Sequence, residues 1–202
     1  QFEDGHVVHT LFPEDNALPW MTVHSDDHLW LPLLAHAILC ETGDTDWLWK
    51  PLRFLGTDGK SSGPEASIWQ HLLAAIRFTE SHLGSHGLPL TLQSDWNDVI
   101  GRFARQGRGE SVFAGQQFIV ALERMIEMAE YGQRQEDAKW LSACRSRQRQ
   151  ALEACTWDGH WWIRCFDDEA RPIGSRSNSY GQMFLNSQSW AVLANIGSRQ
   201  QQ

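Results

Sequence analysis

Residues 110–132 read ESVFAGQQFIVALERMIEMAEYG, and this stretch decides the class of fold. Its apolar side chains recur at the three- and four-residue spacing of one helix face, and Gly132 follows the last of them as a helix stop. The apolar positions are Val112, Phe113, Ile119, Leu122, Met125, Ile126 and Ala129. The stretch therefore predicts a helix that begins near Glu110 and packs against the rest of the chain.

Similar patterns on both sides predict four further helices. They cover residues 25–43, 64–84, 135–155 and 187–196. Ser25 is expected to cap the first of these helices, and Pro32 predicts a distorted start. Pro64 suits the first position of the second helix, because its missing N–H would have no helical partner there. The expected inward face of the first helix comprises Leu29, Trp30, Leu33, Leu34, Ala37 and Ile38. The class of fold is all-α.

Asp26 and Asp27 directly follow the expected cap, and two roles are open to them. In a first helical turn, their charges would interact favourably with the helix dipole. As an alternative, they would be polar groups that face a ligand pocket. The pattern does not separate these two roles.

Residues 157–184 depart from the helical pattern. A Trp-Asp-Gly turn at 157–159 precedes the run HWWIRCF at 160–166, which predicts a strand with residues 167–174 as its return. Residues 1–24 have no sustained period and predict a loop with one short strand. We therefore expect helices with a small β-hairpin in a long loop.

The order of helices and loops predicts where function lies. Antiparallel helices in series place every second connection at the same end. Residues 1–24, 85–109 and 157–185 should therefore share one end, with 43–63 and 132–135 at the other. The first three are long and rich in aromatic and carboxylate residues. Function collected at one end of an array of helical hairpins is typical of an α/α toroid.

Charge and hydrophobicity exclude two classes of partner. The 202 residues carry a formal net charge of −8, whereas nucleic-acid binding relies on clustered Lys and Arg. The densest basic segment, Arg145 to Arg149, is diluted by Ser and Gln and is typical of a solvated helix face. The chain also lacks an apolar run of about 18 residues, the length that spans a membrane. We expect neither nucleic-acid nor membrane binding.

The four cysteines predict reduced thiols. Cys144 and Cys155 would lie on one helix about 16 Å apart, which is too far for a disulfide. Cys40 and Cys165 add no metal-binding spacing. Reduced, buried thiols favour a cytoplasmic protein.

His6 and His9 are the only sequence hint of a metal site, and they do not support one. In a strand, a spacing of three places the two rings on opposite faces. A third ligand at suitable spacing is also absent from the pattern. The sequence predicts no metal.

The motif Asp95-Trp96-Asn97-Asp98 is the candidate chemical centre. Two coupled carboxyl groups suit general acid catalysis, since cleavage of a glycosidic bond needs a proton donor for the departing oxygen. Trp96 can stack on a sugar ring and Asn97 can bind hydroxyl groups, in a chain with 11 Trp residues. The spacing alone does not distinguish Asp95 from Asp98 as the acid, and in isolation it also fits a loop-capping role.

Eight sequence blocks carry a resemblance to a known family. They are QFEDG (1–5), SDDHLWLP (25–32), ETGD (41–44), HGLPL (86–90), DWND (95–98), GESV (109–112), WDGHW (157–161) and FLNSQSWAV (184–192). In this order they resemble glycoside hydrolase family 94. That family comprises inverting cellobiose and chitobiose phosphorylases, related β-glucan phosphorylases and the phosphorylase-like part of cyclic β-1,2-glucan synthases.

The resemblance implies a fold, a reaction and roles for the motif. The fold would be an (α/α)6 barrel, and residues 1–202 would form its middle portion. Asp98 would be the general acid, Trp96 would line the acceptor subsite, and Asp95 would support the loop or hold Asp98 in place. The expected substrate-binding residues are Trp96, Asp95 and Asn97. The reaction would be phosphorolysis of a β-linked glucoside to α-glucose 1-phosphate, with inorganic phosphate as co-substrate and no other cofactor.

The resemblance also implies parts outside these residues. The family's N-terminal β-sandwich, the rest of the barrel and the C-terminal β-domain are expected elsewhere. So are the Arg/Asp pair that grips the donor sugar and the His/Thr pair that grips phosphate. Many family members are dimers, which leaves a homodimer open here.

Two other functions remain open at this point. An inverting β-glucan hydrolase would use the same acid with water as nucleophile. A non-catalytic helical fragment would bind carbohydrate without turning it over. The linkage of the substrate and the identity of the acceptor are not set by the motifs.

Overall fold

The computed structural model describes residues 1–10, 22–57 and 59–201. Five α-helices dominate these residues: α1 (Trp30–Thr42), α2 (Ile68–Ser81), α3 (Val112–Tyr131), α4 (Gln135–Cys155) and α5 (Leu185–Leu193). Short strands accompany them: β1 (Pro51–Arg53), β2 (Glu65–Ser67), β3 (Glu110–Ser111), β4 (Cys165–Phe166) and β5 (Pro172–Ile173). These elements confirm the expectation of a mainly helical fold with small β-structure.

The central element is α3, which packs against each of the other four α-helices. Its first eleven residues, 112–122, are buried on every side rather than on one face. One apolar cluster joins it to α1, α2 and α4 through residues such as Trp69 and Met125. A second cluster joins it to α5 and β4 through Ile119, Phe166 and Ala191. The position of α3 fixes the arrangement of the other helices.

The start of α2 differs from the sequence prediction. The predicted start at Pro64 is wrong, because residues 65–67 pair as β2 with β1, with Arg53 opposite Glu65. Ser67 then caps the helix: its Oγ accepts from the Gln70 amide at 3.3 Å, and the Gln70 side chain accepts from the Ser67 amide at 2.9 Å. This reciprocal pair is a capping box. Pairing with a distant strand is a contact that local spacing cannot reveal.

The start of α1 is distorted, as Pro32 predicts, but Ser25 does not cap it. A 3-10 turn over Asp27–Leu29 precedes the helix, and no side chain caps either element. Ser25 instead donates its amide to the Ser94 carbonyl at 2.9 Å. Pro32 is the third residue of α1, where its missing N–H breaks no helical hydrogen bond.

The expected inward face of α1 is only partly correct. Leu29 is fully buried, but Trp30, Leu34 and Ile38 are exposed. Pro32 and Ala35 are buried in their place. This helix is apolar around most of its circumference, so periodicity alone selected the wrong side.

A three-stranded antiparallel sheet, with the order β3-β4-β5, joins the start of α3 to the hairpin after α4. Ser111 lies opposite Cys165, and Cys165 lies opposite Ile173. The predicted strand over 160–166 is confirmed only at its end, and Trp162 forms an isolated bridge with Trp157. The hairpin is therefore anchored at the first turn of α3.

Hydrogen bonds join the connections that the sequence placed at one end. The Gln93 amide donates to the Val23 carbonyl at 3.1 Å, and the Gly109 amide donates to Asp168 Oδ1 at 3.2 Å. At the opposite end, the Arg134 guanidinium lies 5.1 Å from the ring centre of Trp49. These contacts agree with the predicted alternation for the described residues of the loops other than residues 1–6.

Residues 1–6 are the exception, because they begin at the other end. The Leu55 amide donates to the Gln1 carbonyl at 2.8 Å, and the segment then runs along α2. Gly5 lies against Ala74 with φ +106°, where a Cβ would come within 2.1 Å of the Ala74 oxygen. Only glycine allows this close approach. Of the loop with one short strand expected over residues 1–24, residues 11–21 lie outside the described residues.

The cysteines agree in part with the expectation of buried thiols. None forms a disulfide; Cys144 and Cys165 are buried, Cys155 is half-buried and Cys40 is exposed. Burial raises the pKa of Cys144 and Cys155 to about 11 and that of Cys165 to about 12. In the part of the chain that the structure describes, no helix combines the length and apolar character needed to cross a membrane.

Candidate active site

Residues 94–98 form a tight loop at the end that carries the long connections. Ser94 Oγ donates to the Asn97 carbonyl at 2.8 Å, and the Ile100 amide donates to the same carbonyl at 2.8 Å. A 3-10 turn over Ile100–Phe103 continues the chain. The loop is therefore held by its own backbone and by short side chains, as is typical of Asn- and Ser-containing turns.

Asp95 is fully buried, and donors occupy both of its oxygens. Oδ1 accepts from Arg164 Nη2 at 2.5 Å and from the Asn97 amide at 3.0 Å. Oδ2 accepts from Ser111 Oγ at 2.6 Å. The side chains of Asp95 and Arg164 are both 0% exposed. A carboxylate without access to solvent and with both oxygens engaged does not reach a substrate, so it serves as an anchor.

Three separate parts of the chain meet at Asp95. Ser111 caps α3 by accepting from the Ala114 amide at 3.0 Å, and the same hydroxyl donates to Asp95. Arg164 arrives from the segment before β4, so the ion pair ties the loop to the hairpin. A buried ion pair of this kind is costly unless hydrogen bonds satisfy it. Here both Asp95 oxygens are satisfied, whereas Arg164 Nε has no hydrogen-bond partner among the described residues. The anchor fixes the position of the residues that follow.

Asp98 differs from Asp95 in its surroundings. It follows the anchored part of the loop by one residue, and its side chain is exposed. The Asn97 Oδ1 accepts from the Val99 amide at 3.3 Å, which holds the backbone on both sides of Asp98. Of the two carboxyl groups that the sequence left equivalent, Asp98 is the one that solvent and a ligand can reach.

An aromatic pocket of about 500 Å³ opens beside the loop. Its lining includes Trp30, Trp96, Phe113, Trp190, Asn97, Arg164, Phe184, Leu185, Asn186 and Ser189. The Phe113 and Trp190 rings meet edge to face at 5.4 Å, and Trp30 and Trp190 do so at 5.7 Å. Aromatic walls with a few polar groups suit a ligand with apolar ring faces and hydroxyl edges.

Trp96 and Asn97 both line this pocket, as their predicted substrate-binding role requires. The Trp96 indole is 63% exposed, so most of one ring face is available to a ligand. The centre of its ring lies 6.4 Å from the centre of the Phe113 ring, and the two ring planes are tilted by 54°. Asp98 is outside the lining and lies two residues beyond Trp96.

Asp26 precedes the 3-10 turn without a side-chain cap bond and is absent from the pocket lining. It is 2% exposed, and its Oδ2 accepts from the indole N–H of Trp30, a lining residue, at 3.3 Å. Burial, followed by the charges of Asp27 and Asp95, raises the pKa of Asp26 to about 7. Asp27 lies in the 3-10 turn, and its carboxylate accepts from His9 Nδ1 at 2.9 Å.

Arg164 and Ser111 are site residues that the sequence patterns did not indicate as such. Ser111 lies at the predicted helix start and in the GESV block, and Arg164 lies in the otherwise apolar run HWWIRCF. A charged residue within such a run was the available signal, because burial of a guanidinium requires a partner.

The two histidines of the early segment separate in the structure. His6 stacks on Phe2 at 4.3 Å and bonds to Asp4 at 2.6 Å. His9 lies against His24 and Asp27 instead. The pair itself therefore forms no joint site.

The arrangement defines a class of protein: helical hairpins that carry, at one end, an exposed carboxyl group beside an open aromatic pocket, as carbohydrate-processing proteins do. The chain belongs to the glycosyl hydrolase 94 superfamily, catalytic domain, whose family model matches residues 4–202. The resemblance carried by the eight sequence blocks is thus confirmed.

Characterised relatives are similar along most of this chain. A 3-O-beta-D-glucopyranosyl-beta-D-glucuronide phosphorylase of Paenibacillus borealis is 35% identical over 87% of the chain and 22% of its own length. A solabiose phosphorylase of the same species is 32% identical over 97% of the chain and 24% of its length. A cyclic beta-(1,2)-glucan synthase of Rhizobium meliloti is 28% identical over 99% of the chain and 8% of its length. The chain spans about a quarter or less of these relatives.

A solved structure shares the fold. The GH78 family rhamnosidase of Bacillus sp. GL1 superposes with a TM-score of 0.65, at 16% identity, over 89% of this chain and 16% of that protein. At this identity the similarity concerns the fold alone.

Proposed function

We propose that this chain is the acid-bearing part of an inverting glycoside phosphorylase that acts on β-linked glucosides or gluco-oligosaccharides, with Asp98 as the general acid. The observation that carries the proposal is the contrast within one motif: Asp95 is sealed and fully bonded, while Asp98 is exposed beside the aromatic pocket. Two of the relatives, the 3-O-beta-D-glucopyranosyl-beta-D-glucuronide phosphorylase and the solabiose phosphorylase, support the phosphorylase reaction.

In the proposed reaction, Asp98 gives its proton to the glycosidic oxygen as the C–O bond breaks. Inorganic phosphate attacks the anomeric carbon from the opposite face, so the configuration inverts. The products are α-glucose 1-phosphate and the released acceptor. Asp98 regains its proton from solvent, to which it is open. Phosphate is the co-substrate, and the proposal needs no other cofactor.

Trp96 and Asn97 are assigned to the acceptor in this proposal. The exposed indole offers a flat apolar face for the C–H side of a sugar ring. Asn97 uses Oδ1 for the Val99 amide, which leaves its amide N–H groups for sugar hydroxyls. Asp95 acts through the loop: it holds the backbone so that Asp98 and Trp96 keep their relative position. Residues that grip phosphate and the donor sugar are expected elsewhere in the barrel.

We also propose that the five α-helices are part of an (α/α)6 barrel. The shared end of the long connections and the antiparallel α3–α4 hairpin support this architecture. So do the exposed apolar residues of α1 and α5, such as Leu34 and Leu193, which lie where further helices would pack. A cytoplasmic location is consistent with the four free thiols.

The test of the proposed function is the Asp98→Asn substitution in the longest polypeptide that contains these residues. We expect phosphate-dependent release of α-glucose 1-phosphate to fall by about 10²–10⁴-fold, because a positioned acid contributes that much. The Asp44→Asn variant is the matched control, because Asp44 is exposed in the connection at the opposite end of the helices. The activity of this variant should equal that of the wild type. Full turnover by Asp98→Asn would refute the assignment.

The same assay distinguishes the hydrolase. Release of free glucose in phosphate-free buffer, lost in Asp98→Asn, would keep Asp98 as acid and replace phosphate by water as nucleophile. Binding of oligosaccharide by calorimetry without turnover in either buffer would identify a non-catalytic carbohydrate-binding protein.

A further inference from the structure

Two imidazoles and a carboxylate converge outside the aromatic pocket. His9 Nδ1 lies 2.9 Å from Asp27 Oδ2, and the rings of His9 and His24 stack at 3.9 Å between centres with an angle of 27°. One ligand atom from each of these three residues lies within 4.8 Å of the other two. Among the described residues, this is the group of nitrogen and oxygen donors that meets the spacing of a metal site.

Three different segments bring these side chains together. His9 arrives on the segment that runs along α2, and Asp27 begins the 3-10 turn before α1. His24 forms backbone bridges with Leu92 and Ser94, so it lies directly beside the loop that carries Asp98. The sequence patterns do not indicate these three residues as a set, because His24 and Asp27 lie 15 and 18 positions after His9.

His24 is the unexplained member of the group. Its side chain is 7% exposed, and its Nδ1 has no hydrogen-bond partner among the described residues. A buried ring nitrogen without a partner is uncommon, since such groups are nearly always satisfied.

We propose that His9, His24 and Asp27 bind a divalent transition-metal ion of the Zn²⁺ class. Two nitrogen donors and one carboxylate are the ligands that such ions prefer, whereas Ca²⁺ and Mg²⁺ prefer oxygen alone. Tetrahedral bonds of about 2.0–2.1 Å place ligand atoms about 3.3 Å apart. The three ligand atoms now lie within 4.8 Å of one another, so they have to move closer together. His9 and Asp27 can make this movement because their side chains are 31% and 20% exposed.

Binding would change the contacts in a defined way. The ion replaces the proton that now joins His9 to Asp27, and the two stacked rings splay so that their lone pairs point to one centre. Water fills the remaining coordination position, since two of the three residues face solvent. The ion then links the segment of residues 1–10 to the loop of Asp98. Its role is structural, and it takes no part in the reaction.

The test is titration of the protein with Zn²⁺ and with Co²⁺, followed by calorimetry and by the visible absorption of Co²⁺. We expect one equivalent to bind, with a Co²⁺ spectrum of nitrogen and oxygen ligands. His9→Ala and Asp27→Asn should each weaken binding at least about tenfold, as should His24→Ala. Because His24 is buried, circular dichroism must first show that His24→Ala is folded. If it is not, the variants of His9 and of the half-buried Asp27 carry the test.

Two control variants identify other sources of binding. Cys40 lies 3.7 Å from the His36 ring nitrogens on the surface of α1, so Cys40→Ser removes a competing thiolate. His160 is exposed and remote in sequence, so His160→Ala tests for capture by any surface imidazole. Both variants should bind as the wild type does. Absence of binding, binding that survives His9→Ala and Asp27→Asn, or binding that disappears in Cys40→Ser would overturn the proposal.

Discussion

Asp26 shows how one buried carboxyl group can set the pH response of the fold. It is almost completely buried, its Oδ1 has no hydrogen-bond partner, and its Oδ2 accepts one long bond from Trp30. Burial and the nearby Asp27 and Asp95 raise its pKa to about 7 from an ordinary value of 3.8. At neutral pH this side chain is therefore partly protonated in the folded protein and ionised in the unfolded chain.

The Asp26→Asn substitution should flatten the pH dependence of stability. Between pH 4 and pH 7 the folded protein keeps a proton that the unfolded chain has lost, so the free energy of unfolding falls as pH rises through this window. Asn is neutral and can still accept from Trp30. Between pH 5 and pH 8 the free energy of unfolding should therefore fall less in Asp26→Asn than in the wild type, and the difference should be up to a few kcal/mol. Urea unfolding at both pH values measures this difference. Equal losses in the two proteins would show that Asp26 ionises normally.

At the residue scale, the sequence located the motif but not the division of roles within it. Asp95 and Asp98 look alike in a sequence, and the resemblance to family 94 alone assigned the acid to Asp98. The contacts that separate them come from Ser111 and Arg164, which lie 16 and 69 positions from Asp95. Such long-range partners leave no periodic signal. The resemblance implied a supporting role for Asp95, and the folded chain shows the contacts that could provide it.

At the scale of the elements, local patterns predicted helices well and their starts less well. The α4 range is as predicted, since its limits are set by its own residues and by the turn after Gly132. The α2 start was wrong because residues 65–67 gain hydrogen bonds from β1 before Ser67 caps the helix. A start determined by a distant strand cannot be found from propensity or from Pro64 alone.

The two serine caps provide a matched pair of variants. Ser67 and Ser111 both accept from an amide three residues later, but only Ser111 also donates to Asp95. We expect Ser67→Ala to cost about 1 kcal/mol of stability with unchanged turnover. Ser111→Ala should cost about 1–3 kcal/mol and lower turnover, because a buried oxygen of Asp95 loses its donor and the loop shifts.

Denaturant unfolding and initial rates of phosphorolysis, measured on both variants, separate the two roles of Ser111. Ser111→Thr, which keeps the hydroxyl group, should recover most of the turnover. If Ser111→Ala and Ser67→Ala have the same turnover, the link between the helix cap and the Asp95 anchor is not used in the reaction.

At the scale of the whole molecule, the described residues include exposed apolar side chains on α1 and on α5. On α1, Trp30, Leu34 and Ile38 are 41%, 60% and 38% exposed at a spacing of four residues. On α5, Leu185 and Leu193 are 73% and 59% exposed. Contiguous apolar stripes of this kind mark surfaces that pack against other structure. The sequence showed that these helices are apolar but not which side of each one the described residues cover.

The Leu34→Lys substitution should therefore have opposite effects in two polypeptides. In a polypeptide limited to residues 1–202, the uncovered stripe promotes association, and a lysine there should shift the protein toward monomer in light scattering with size-exclusion chromatography. In the longer polypeptide, the proposed barrel buries Leu34, so the same lysine should lower the free energy of unfolding by about 2 kcal/mol or more. Tyr180→Lys is the control, because Tyr180 is 92% exposed in the hairpin region and should change neither measurement. A Leu34→Lys variant that is as stable as the wild type in the longer polypeptide would mean that no helix covers this side of α1.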